Sequence, residues 1–123
     1  MKGATTAVQM LIRLSWLVLI VLGALFWAGR TTMLATHVVT GLVFVLLLWM
    51  LSFLALRSGA GAGLAALNIF WSLVVLVLGM TQNRLLVDGV HSIIQVLHLL
   101  VGIVAIGLAE SLAARVKRTP ALS

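Results

Sequence analysis

The apolar positions of this chain neither alternate nor follow a single helical face. They come in four nearly unbroken blocks, each bounded by a basic residue or a Gly/Thr/Asn cluster. The blocks run over residues 8–27, 37–56, 64–82 and 89–109. Each approaches the roughly 20 residues that a helix needs to cross a bilayer core. The pattern predicts an all-α integral membrane protein, an antiparallel four-helix bundle forming one four-span domain over residues 1–123. Short connections favour antiparallel packing of consecutive helices. The longest connection, Arg57 to Gly63, is Arg-Ser-Gly-Ala-Gly-Ala-Gly and reads as a flexible hinge between two hairpins. Residues 110–123 are expected to form a basic tail that continues the last helix until Pro120 ends it.

Composition supports the same class. The chain has 123 residues, of which 63% are hydrophobic and 8% charged, and its mean hydropathy is +1.30. A soluble domain needs about a quarter of its residues charged to build its polar shell. The first block reads as a full span rather than a removable leader, because it contains Trp16 and Trp27 and has no clear small-x-small cleavage site. The absence of cysteine excludes disulfides, thiolate metal sites and cysteine nucleophiles.

The net charge of +6 is a topological signal rather than a nucleic-acid footprint. Lys2, Arg13, Arg57, Arg115, Lys117 and Arg118 fall at one set of span ends, and only Arg30 and Arg84 at the other. The positive-inside rule then predicts cytoplasmic N- and C-termini in a multi-pass protein of the cell inner membrane. Arg13 is expected to snorkel and Trp16 and Trp27 to act as interface aromatics, while the basic tail anchors to anionic lipid.

Polar side chains inside spans are costly and mark the informative positions. In the fourth block Asp88, His91, Gln95 and His98 are spaced 3, 4 and 3, which is one helical stripe, and Gly102, Ala105 and Ala109 extend it. The second block opens with His37, then Thr40 and Gly41. His37/Gly41 and His98/Gly102 share the pattern His-x-x-x-Gly, which leaves room one turn from each imidazole. Asn68, Ser72, Gly79 and Gln82 lie near one face of the third block, where Asn68 and Ser72 are expected to hydrogen-bond between helices. His37 and His91 follow Arg30 and Arg84 by the same interval, a weak internal repeat.

Two readings of the histidines follow. In one, each imidazole is neutral and hydrogen-bonded across the bundle, with Asp88 capping the fourth helix. In the other, two imidazoles from facing helices hold one b-type haem, as bundle cores can. Arg30 and Arg84 would then meet the propionates, and Phe44 and Leu48 would wall the ring. His37 with His98 is the favoured pair, leaving His91 near a propionate or as a proton carrier. His91 and His98 are about 10 Å apart along a helix, too close to serve two separate haems.

In architecture, and in His37 with Gly41 and His98 with Gly102, the chain resembles the membrane four-helix b-type cytochromes. It departs from the diheme members, which need four axial histidines where this chain has three. The resemblance implies one-electron transfer near the outer face of the membrane, with a quinone or quinol partner, in a single chain, a homodimer or a larger membrane complex. Two other classes fit the residues. One is a divalent-metal protein using His37, His91 and His98 with Asp88 and Gln95. The other is a non-catalytic accessory or assembly subunit that docks a partner through the polar stripe. Gly59, Gly61 and Gly63 lack the Lys and Ser/Thr of a phosphate loop.

Overall fold

The computed structural model describes residues 2–30, 32–81 and 91–120. They form four helices: α1 (Lys2–Trp27), α2 (Leu34–Ser58), α3 (Ala62–Thr81) and α4 (His91–Arg118). All four are long and apolar enough to cross a membrane. Their outward faces carry large apolar side chains such as Leu17, Phe53, Phe70 and Leu100, each half or more exposed. That is a surface suited to lipid contact.

The interhelical contacts run in opposite senses along neighbouring helices, which makes the bundle antiparallel. Gly23 approaches His37 while Gly41 approaches Leu19. Asn68 bonds to α2 at Leu48 and Ser52, whereas Gln9 on α1 reaches Glu110 and Lys117 on α4. Each helix packs on its chain neighbours and α1 also packs on α4. Across the middle, α2 touches α4, but α1 and α3 do not pack against each other among the described residues. One diagonal of the bundle is closed and the other is open.

Two left-handed glycines stop helices. At Gly29 (φ 68°) the amides of Gly29 and Arg30 close onto the carbonyls of Phe26 and Leu25 at 2.9 and 2.8 Å. At Gly59 (φ 73°) the amides of Gly59 and Ala60 close onto Leu56 and Ala55. Both are the glycine-terminated endings that satisfy orphan carbonyls. The second corrects the expected hinge. α3 already begins at Ala62, so Gly63 is helical, and Ala60 is buried in the core. Three residues joining two packed helices make a fixed turn.

The core occupies the end of the bundle that carries the termini. Val8 and Ile12 of α1, Leu48, Leu51 and Ala55 of α2, Ala65 of α3, and Ala105, Ala109, Leu112 and Val116 of α4 are all buried there. Most polar side chains in this half are paired, although Asn68 Oδ1 is buried with no hydrogen-bond partner among the described residues. Asn68 Nδ2 donates to the Leu48 carbonyl and to Ser52 Oγ, both at 3.0 Å, and Trp49 Nε1 donates to Ser72 Oγ at 2.7 Å. The expected interhelical bonds of Asn68 and Ser72 are therefore present. Such bonds contribute about 0.6 kcal/mol on average, and at most about 1.7 kcal/mol, between membrane helices. Asn68→Ala is expected to lower unfolding stability in detergent by about 1 kcal/mol, read as a shifted denaturation midpoint.

At the same end Arg13 does not snorkel away from the protein. Its Nε and Nη2 donate to Glu110 Oε1 and Oε2 at 2.8 and 2.9 Å, a bidentate clamp between α1 and α4. Gln9 Nε2 donates to the same carboxylate at 2.6 Å, and Lys117 donates to Gln9 Oε1. The segment after Ala109 continues α4 to Arg118, and its Glu110 and Lys117 bond to Gln9 of α1. This pairing lies where α4 runs on past its apolar block.

Candidate functional site

The opposite half of the bundle is hollow. A cavity of about 320 Å³ lies between all four helices, within the roughly 300–1,000 Å³ range of small-molecule sites. It exists because the inward stripe of each helix changes character. On α1 the buried positions Thr5, Val8 and Ile12 give way to Trp16, Leu19, Gly23 and Phe26. On α4 the buried Ala105 and Ala109 give way to Gly102, His98 and Gln95. α2 contributes His37, Gly41 and Phe44, and α3 contributes Val75 and Gly79. Every helix places one glycine in the wall.

His37 and His98 line this one cavity, from the second and last helices, and lie within electrostatic reach of each other. Nδ1 of each is buried and finds no hydrogen-bond partner among the described residues. An unmade bond at a buried polar atom costs about 1–3 kcal/mol. Hydrogen bonds to the rest of the protein, as the first reading of the histidines required, are therefore missing at these atoms. Trp16 Nε1 is a third buried, unpartnered group on the same wall. Trp16 accordingly turns inward and is no interface aromatic, whereas Trp27 is 52% exposed at the rim.

The glycines work differently from the His-x-x-x-Gly reading. The space beside each ring comes from a neighbouring helix. A Cβ at Gly79 of α3 would meet Cε1 of His98 at 3.0 Å, and one at Gly23 of α1 would meet Cε1 of His37 at 3.9 Å. Gly41 instead faces Leu19, while a Cβ at Gly102 would meet nothing within 4 Å, so Gly102 keeps the cavity open. Phe26 stands edge-on to His37, with centroids 5.6 Å apart and planes at 74°.

The remaining expected residues divide. Phe44 is in the cavity wall, but Leu48 is fully buried in the packed half and walls nothing. His91, the first described residue of α4, does not line the cavity. Arg30 is exposed just past α1, at the hollow end, and is also outside the lining. Arg84 and Asp88 lie outside the described residues, as do Gln82 and Gly89. Among the described residues no three His, Asp or Glu side chains gather as a metal-ion group. Gln95 and His98 both turn into the bundle, so half of the polar stripe faces the cavity and not an outer docking surface.

Sequence reading missed Gly23 and Phe26 as neighbours of His37, and Trp16 as cavity wall. Only the position of Gly23 on the inward stripe of α1, seven residues beyond Trp16, hinted at its place. No family model matches the chain, and no curated protein or solved structure is significantly similar to it.

Proposed function

We propose that the chain is a membrane-embedded b-type haem protein carrying single electrons near one face of the membrane. His37 and His98 would supply the two axial imidazoles. The observation that carries the reading is a pair of half-buried imidazoles, one from α2 and one from α4, lining one largely apolar cavity between helices. Imidazole from facing helices is a recurrent way to hold haem in a bundle.

The lining fits a flat, mostly apolar group. Trp16, Phe26, Phe44, Val75 and Leu19 offer ring and aliphatic walls, and Gly41, Gly79 and Gly102 leave room among them. The bound group would supply one-electron redox chemistry. The chain's own residues would hold it, exclude water and keep it away from the packed half of the bundle. Arg30, at the hollow end, is the described cation suited to a propionate.

The charge pattern orients this reading. The basic residues gather at the end with the termini, so the positive-inside rule puts that end in the cytoplasm and the cavity toward the outer face of an inner membrane. A quinone or quinol, itself a membrane-soluble redox carrier, is the proposed electron partner.

The test is the absorption spectrum of protein purified from haem-replete cells, oxidised and dithionite-reduced. Sharp Soret and alpha bands with one haem per chain are expected. Protein that is folded and free of haem overturns the reading.

A further inference from the structure

Histidine ligands commonly donate their second ring nitrogen to a carboxylate, carbonyl or water, and that bond fixes the plane of the ring. Here Nδ1 of both cavity histidines lacks such a bond among the described residues. Something else must set the two ring planes, and the contacts around each ring are specific.

His98 presents its Cε1 edge to the backbone of α3. A Cβ built on Gly79 would be 3.0 Å from Cε1, 3.7 Å from Nε2 and 3.8 Å from Nδ1. That is tighter than nearly all real Cβ contacts, so a side chain at this position would make the imidazole give by a few tenths of an ångström. His37 is confined by a different partner, the edge-on Phe26 ring at 5.6 Å, with Gly23 behind Cε1.

We propose that Gly79 and Phe26 are the positioning residues of the site. They set the orientation of the His98 and His37 imidazoles by packing, in place of hydrogen bonds. The inference deepens the haem reading and rests on it for its functional meaning. The two rings are then held by different helices, His98 by α3 and His37 by α1, which do not touch each other. The angle between the ring planes depends on two independent contacts and is adjustable one ring at a time.

The experiment uses the full chain labelled with 15N-histidine in detergent micelles, first free of haem. Signals are assigned with His37→Ala and His98→Ala. Gly79→Ala is expected to move the His98 ring resonances and leave those of His37 in place. Phe26→Leu is expected to do the reverse. Gly107→Ala, whose Cβ would meet nothing within 4 Å on an exposed stretch of α4, is the control. In haem-loaded protein Gly79→Ala is expected to shift the low-spin electron-resonance g-values and weaken haem binding about tenfold or more, as loss of ligand support does elsewhere.

Unmoved His98 signals in folded Gly79→Ala overturn the proposal for that ring. Should Gly79→Ala not fold, Phe26→Leu decides, and unmoved His37 signals overturn the idea. If the wild-type chain takes up no haem, the haem reading fails, while the ring measurements still judge positioning by packing.

Discussion

His37→Ala and His98→Ala are each expected to abolish stoichiometric haem uptake while leaving the bundle folded. The two halves of that expectation have separate causes. Haem with bis-imidazole ligation loses an iron bond when either ring is removed, so both variants fall together. Folding is expected to survive because each substitution deletes a buried Nδ1 that makes no hydrogen bond among the described residues. The ring volume it vacates adjoins existing free space, so the change enlarges a cavity rather than opening one in packed core. His91→Ala is expected to keep haem, since His91 does not line the cavity. Pyridine haemochrome content per folded chain measures all three. Loss of haem with His91→Ala but not with His98→Ala would replace the ligand pair.

The second large effect belongs to the opposite half of the bundle. Ala109→Leu is expected to destabilise the fold by about 1–3 kcal/mol, the usual cost of forcing extra methylenes into packed core. Ala109 is 2% exposed, in the core cluster with Ala105 and Leu112. Between membrane helices there is little hydrophobic gain to offset the clash, because lipid solvates leucine as well as the protein does. The neighbouring Gly107 is an internal control, since it is exposed and open to a Cβ. Gly107→Ala removes a helix-interior glycine and is expected to stabilise α4 by up to about 1 kcal/mol. Unfolding by a denaturing detergent, followed by circular dichroism, separates the two. A neutral Ala109→Leu would mean that the alanine seam is not tightly packed.

The four helices were legible because apolar blocks of span length have few alternatives in a chain with so little charge. Their ends were not. α1 is already helical ahead of Val8, where Thr5 is buried, and Gln9 is satisfied by Glu110 and Lys117, more than 100 positions away. Local sequence reads the stretch before Val8 as a polar lead-in, since its partners belong to another helix. Gly59 stopping α2 was visible as a glycine, but burial of Ala60 was not, and the segment looked looser than it is.

The site shows the same division. His37 and His98 stood out as ionisable groups in apolar blocks, and helical spacing put Gln95 and Gly102 on the stripe of His98. The neighbours that confine the rings, Gly79, Gly23 and Phe26, lie on other helices. Nothing in their own surroundings distinguishes them from ordinary packing residues. Trp16 was misjudged for a related reason: position along a span suggests depth, but only packing reveals whether an indole turns outward or inward.

That all four helices wall one cavity also fixes when it can exist. His98 lies on α4, and the glycine beside its ring lies on α3, the helix before it. A nascent chain with two or three helices inserted has His37 but no opposite imidazole and no closed wall. Any ligand held by both rings is therefore captured only after α4 has been made and has docked. Supply of that ligand at the membrane, rather than at the exit tunnel, would then govern how much of the protein becomes active.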